Sequence, residues 1–193
     1  MDESEIADPS ENAEIFRTPI EFQEAKPQDG AIIYEIAKQA GFPPRELHLP
    51  SDYNDAIERA NEETQDIPGM SKSFISYIDG KPVGYVLVHP MVSDDSSRDV
   101  FINEIATVPE QRNPRLIIEM FKHLLDQEDK SLTYHYEAYA LADTVYKGLQ
   151  NPGVLKRIAE QGYQVVIDDW DRERIEEGRA DKALVMLVPN SEK

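Results

Sequence analysis

The stretches SFISYIDGKPVGYVLVH, residues 73–89, and VFINEIATVPEQRNPRLIIEMFKHLL, residues 100–125, carry the reading of the fold. In the first, Ser73–Ile78 and Val83–His89 are short runs rich in β-branched and aromatic residues. Asp79-Gly80 between them is the kind of pair that a tight two-residue hairpin turn requires. In the second, Val100–Val108 reads as a further strand that stops at Pro109. Leu116, Ile117, Met120, Phe121, Leu124 and Leu125 then recur at helical spacing, with Glu119, Lys122, Asp126 and Gln127 on the solvated side. A hairpin, a polar loop over Ser93–Asp99, a third strand and an amphipathic helix therefore follow one another.

Working outward toward the N-terminus, Pro19–Ala25 reads as a strand, and Pro27, Asp29 and Gly30 as a turn or helix start. Ile32, Ile33, Ile36, Ala37 and Ala40 have helical spacing, and Gly41 stops the run. After a Pro-rich connection through Pro43, Pro44 and Pro50, Ser51 reads as the N-cap of a second helix carrying Tyr53, Ala56, Ile57 and Ala60. Toward the C-terminus, Leu132–Ala140 is a strand, and Asn151-Pro152 caps a helix carrying Val154, Leu155, Ile158 and Ala159 that ends at Gly162. Tyr163–Ile167 and Ala183–Val188 are closing strands, separated by the charged residues 168–182. The order β, α, α, β, β, β, α, β, α, β, β implies an α+β fold, with a mixed, mostly antiparallel central sheet flanked by helices on both faces.

At 193 residues the chain suits one domain, assigned to 16–193. Residues 1–15 hold Asp2, Glu3, Glu5, Asp8, Glu11 and Glu14 and no basic residue. With little apolar surface to offset the entropy of ordering, they read as an acidic disordered tail. The formal net charge is −18, from 20 basic and 38 acidic side chains, which disfavours nucleic acid and anionic membranes as partners; it either serves solubility alone, the more ordinary role of an acidic surface, or also draws in cationic substrates. Without cysteine there is no disulfide, thiolate nucleophile or cysteine metal site. No apolar run nears the roughly 18 residues of a spanning helix, and the acidic N-terminus is unlike a signal peptide, so a soluble, cytoplasmic protein is expected. His48, His89, His123 and His135 lack ligand spacing, and the runs Asp94, Asp95, Asp99 and Asp168, Asp169, Asp171 lack the calcium-loop pattern; no metal is expected.

Four strings in register resemble one family. FQEAKPQDGAIIYEI (22–36) is similar to the opening strand and helix of the GNAT superfamily of N-acyltransferases, and IDGKPVGYV (78–86) to its central hairpin. IATVPEQR (105–112) resembles its strand entering the pyrophosphate loop, and NPGVLKRIAEQGY (151–163) its late helix and following strand. The resemblance spans about residues 19–188. It implies acyl-CoA bound against a splayed central strand pair, pyrophosphate held at the next helix start, and transfer of the acyl group to an amine of a small molecule or protein.

On that resemblance acetyl-CoA is the expected co-substrate, and Ala106, Val108, Arg112, Asn113, Arg115, Leu116 and Asn151 are the residues expected along it. The family's loop pattern is Gln or Arg, two residues, Gly, one residue, then Gly or Ala. From Arg112 this chain offers Arg115 and Ile117, and from Gln111 it offers Pro114 and Leu116, so neither register has a glycine. Two readings stay open: Arg112 and Arg115 replace the amide cradle by charge-assisted bonds, or Pro114 merely starts a helix and the arginines offset surface acidity. Glu104, alternating with Ile102, Ala106 and Val108, is the general-base candidate on the strand where many members place a carboxylate. The family's tyrosine acid, four residues before the late helix's glycine, is here Ile158; Tyr146 and Tyr163 do not match. Residues 42–70 and 168–182, the latter with Trp170 and Ile175, are where acceptor or partner contacts are expected, and a homodimer is kept open. The alternative function is a GNAT-fold interaction or structural module that has lost acyl-CoA binding.

Overall fold

A computed structural model describes residues 18–42, 48–64, 72–92, 98–112, 114–126, 131–139, 144–167 and 182–190. The acidic tail, Asn113, the Asp94-Asp95 and Asp168–Asp171 runs, Trp170 and Ile175 lie outside the described residues. β1 (Ile20–Glu24) leads through a 3₁₀ turn at Pro27–Asp29 into α1 (Gly30–Ala40), and α2 (Pro50–Thr64) follows. Next come β2 (Phe74–Ile78), β3 (Lys81–Val92) and β4 (Arg98–Thr107), then a 3₁₀ turn at Pro109–Gln111 and α3 (Pro114–Leu125). β5 (Thr133–Tyr139), the short α4 (Thr144–Gly148), α5 (Pro152–Glu160), β6 (Tyr163–Ile167) and β7 (Lys182–Pro189) complete the order. Only α4 is absent from the order read in the sequence; one turn is too short to show a period.

Among the described residues the strands form one seven-stranded sheet in the order β1-β2-β3-β4-β5-β7-β6. Every neighbouring pair is antiparallel except β4/β5, whose parallel pairing needs a crossover, and α3 supplies it. The β2–β3 turn has positive φ at both Asp79 (51°) and Gly80 (71°), the geometry that makes Asp-Gly a hairpin pair. β3 runs on to Val92 and β4 starts at Arg98, so Asp99 belongs to a strand and not to the loop expected there; its cross-strand pairing with Met91 overrides the local polar composition.

Helices cover both faces. Ile33, Ile36 and Ala37 of α1 with Tyr53 and Ile57 of α2 are buried on the face that carries Tyr85 and Leu87. Leu116, Met120 and Leu124 of α3 with Val154 and Ile158 of α5 fill the other, where His123 stacks on Phe22 and Tyr134 donates to the Leu124 carbonyl. Burying one such aliphatic side chain contributes about 1.5–3 kcal/mol, so these stripes hold the layers together.

Local details decide how α1 and α2 lie. α1 ends in a Schellman motif, with Gly41 N–H donating to Lys38 and Phe42 N–H to Ala37. α2 begins with Pro50 in its first turn, and the Asp52 carboxylate reaches back to the Leu49 N–H (2.8 Å). Leu49, not Ser51, is therefore at the cap position: proline tolerates the first helical position, where no N–H bond is lost. Gly30 donates its N–H to Asn54 Oδ1 (3.0 Å), and a Cβ there would sit 2.1 Å from that oxygen, so glycine is what lets α2 close on α1.

A bulge corrects the strand-face reading. The β3/β4 register runs Leu87↔Glu104 and then Val88↔Ile102, which leaves Asn103 as an extra residue. Strict alternation would put Ile102 beside Glu104. The bulge reverses the phase, so Ile102 joins Val88 on the α3 face, while Glu104 and Ala106 lie with Leu87 and Tyr85 beneath α1 and α2.

Candidate functional site

The parallel β4/β5 register covers Asp99↔Thr133 through Ile102↔Tyr136 and then stops. Both strands continue, β4 to Thr107 and β5 to Tyr139, so they part where Asn103 bulges. Beyond Ile102, among the described residues, the β4 edge that faces β5 has no partner in the sheet ladder.

Glu104 stands at this parting. The Tyr85 phenol of β3 donates to Glu104 Oε1 at 2.6 Å, and the Tyr53 phenol of α2 donates to the same oxygen at 3.3 Å. Among the described residues no bond falls on Oε2. Tyr53 and Tyr85 are buried, with their rings 6.4 Å apart in an edge arrangement, and the His48 ring lies edge-on to Tyr53 at 5.7 Å. Burial holds the Glu104 carboxyl above the usual carboxylate range; the Tyr85 bond, the nearby His48 charge and the Tyr53 bond pull it partly back. Burial, and then the negative charge of Glu104, push both phenols upward, so at neutral pH both stay protonated donors.

The expected cofactor residues are only partly brought together. Ala106 is buried on the Glu104 face, and Val108 extends the ladder by donating to the Val83 carbonyl at 2.9 Å. At the start of α3 the Arg112 guanidinium donates to the carbonyl of Ala40, the last residue of α1, and Arg115 donates to the Thr18 carbonyl at 3.2 Å. The two arginines tie the helix start to its surroundings. The Leu116 side chain is in the core. Asn151 caps α5, its Oδ1 accepting from Gly153 N–H at 2.9 Å, and so stands on a different helix from the loop. Ile158 is buried, Tyr146 packs in the core, and Tyr163 lies edge-on to Tyr134.

Among the described residues no three His, Asp or Glu side chains form a group that could hold a metal, and no helix is long and apolar enough to cross a membrane. His135 pairs with Asp99 at 3.1 Å and His89 with Glu63 at 3.4 Å. Burial lowers the pKa of His123, whose ring stacks on Phe22 and lies edge-on to Phe74. Sequence reasoning missed Tyr85 as a partner of Glu104. The signal lay in its place on β3, facing the same side as the carboxylate, but only with the register known.

No family sequence model and no curated protein sequence matches the chain. Solved structures do. The diaminobutyrate acetyltransferase EctA of Paenibacillus lautus, in complex with L-2,4-diaminobutyric acid and coenzyme A, aligns at a TM-score of 0.56 and 15% identity over 91% of this chain and 98% of its own. The yncA protein of Salmonella typhimurium, with its cofactor acetyl-CoA, aligns at 0.56 and 12% over 90% and 95%. Naa50 of Arabidopsis thaliana, in complex with the bisubstrate analogue CoA-Ac-MVNAL, aligns at 0.53 and 10% over 86% and 97%. At these identities the likeness carries the fold.

Proposed function

We propose that this chain, which has the GNAT fold, is an N-acyltransferase that moves an acetyl group from acetyl-CoA to an amine of a small molecule or protein, with Glu104 as general base. The observation that carries this reading is the Glu104 carboxylate at the parting of β4 and β5, bonded at Oε1 and, among the described residues, not at Oε2. An ammonium must lose a proton before its nitrogen can attack a thioester carbonyl. Oε2 has a lone pair to take that proton, and burial strengthens the base beyond an ordinary carboxylate. Acetyl-CoA would supply the activated acyl group. The open β4 edge suits its amide-bearing arm, and the start of α3 suits its phosphates through the helix dipole. Arg112 and Arg115 stand near that start, where their guanidiniums donate to the Ala40 and Thr18 carbonyls, and a positively charged guanidinium there suits a phosphate by charge. With Ile158 in place of a tyrosine, the departing thiolate takes its proton from water.

Acceptor amines on this fold include a small diamine in the EctA complex and a peptide in the Naa50 complex. The net charge of −18 favours a cationic one here. A second reading, the GNAT-fold module without acyl-CoA binding, is favoured by the helix start itself: Pro114 offers no N–H, no glycine stands at 114–117, and both arginines already bond to backbone carbonyls. Calorimetry with acetyl-CoA, followed by mass spectrometry of candidate amines, separates the two. Micromolar binding with acetyl transfer supports the enzyme; no heat of binding at millimolar acetyl-CoA leaves the module.

A further inference from the structure

We infer that Tyr85 is the positioning residue of the Glu104 base: it grips Oε1 and turns Oε2 toward the amine. This rests on the reading of Glu104 as base. Tyr85 stands opposite Ala106 and Leu87 opposite Glu104, so Tyr85 and Glu104 are diagonal neighbours on one sheet face, within reach of a long aromatic side chain. The 2.6 Å separation is that of a charge-assisted O–H···O⁻ bond.

Tyr85 and Glu104 are held by paired strands of one sheet, and the Tyr85 ring is fully buried. Tyr53 makes a longer bond, 3.3 Å, from α2, a different layer. The sheet-borne phenol therefore sets the orientation of the carboxylate, and the helix-borne one adds to it. Among the described residues, the ionisable groups acting on Glu104 are Tyr85 from β3, Tyr53 from α2 and His48 just before α2. The buried face that α1 turns to the sheet, Ile33, Ile36 and Ala37, is apolar. The sign follows. Phenol donation favours the ionised carboxylate, so removing it makes the proton harder to lose.

The test is Tyr85→Phe, checked for folding by circular dichroism. It is read first by the ¹³C-carboxyl titration of Glu104, assigned with Glu104→Gln, and second by the pH profile of acetyl transfer from acetyl-CoA to spermidine and to L-2,4-diaminobutyric acid. We expect the Glu104 midpoint to move to higher pH. In step, kcat/KM on the acidic limb of the profile should fall about tenfold while the high-pH plateau falls by no more than about threefold. Tyr53→Phe should shift both in the same direction, by less. If Tyr85→Phe does not fold, 3-fluorotyrosine at position 85 keeps the packing and, as a stronger donor, should move the midpoint to lower pH. An unmoved midpoint in either variant overturns the inference, as does a loss of kcat/KM that is equal at every pH. A wild type that shows no heat of binding at millimolar acetyl-CoA removes the base assignment alone; the titration still decides whether Tyr85 holds the carboxylate.

Discussion

At Glu104 one side chain links chemistry and stability. On the proposal that Glu104 is the base, Glu104→Gln keeps the shape and takes that group away, so kcat should fall about 10²-fold or more while the calorimetric Kd for acetyl-CoA stays put. The same variant should reverse a stability trend. Burial raises the folded-state pKa of Glu104 above its unfolded value, so its contribution is fully present below the unfolded value and is lost as pH climbs through the folded one. Thermal unfolding between about pH 4 and 8 should therefore show the wild type losing ground to Glu104→Gln as pH rises. Arg112 and Arg115 pose a different question, because each already serves a backbone carbonyl. A charge-assisted bond to phosphate contributes about 1.5–3 kcal/mol, so the double change Arg112→Ala, Arg115→Ala should weaken acetyl-CoA binding by at least about tenfold. Unchanged affinity with a lower urea midpoint would assign both guanidiniums to holding α3 against α1 and the entry of β1.

At the scale of elements, the site depends on α2 lying close over the sheet, and that closeness depends on Gly30. A Cβ there would meet Asn54 Oδ1 at 2.1 Å and the Pro50 carbonyl at 2.3 Å, both near the start of α2. Gly30→Ala should cost about 1–3 kcal/mol in urea unfolding and lift Tyr53 away from Glu104. Asn151 tests the reach of family resemblance. Its side chain caps α5, so Asn151→Ala should cost about 1 kcal/mol of stability and leave acetyl-CoA affinity unchanged. A selective loss of affinity would return Asn151 to the cofactor site. Element boundaries were legible where backbone chemistry is local: Asp79-Gly80, Gly41, Gly162 and Asn151-Pro152 all mark ends where expected. Ser51 misled because a serine looks like a cap wherever it stands, and Pro50 claimed the first helical position instead.

For the whole molecule, 20 basic against 38 acidic side chains set up a field that gathers cations. Raising salt from about 50 to 300 mM should therefore raise KM for spermidine several-fold with little change in kcat. The sequence by itself determined the order of elements and the two-sided burial, and hence a mixed α+β sheet, because hydrophobic period, caps and turn pairs act over a few residues. The GNAT likeness came from four resembling strings, and Glu104 as a candidate base came from that resemblance. The tertiary structure alone decided what surrounds that carboxylate. Alternation places Ile102 beside Glu104, whereas the extra residue Asn103 turns Ile102 to the other face. Tyr85, distant in sequence, and Tyr53, farther still, meet on one oxygen of Glu104 only because the β3/β4 register and the Gly30 contact bring them there. A bulge shifts every side chain beyond it by one face, and no local propensity records where pairing between distant strands will slip.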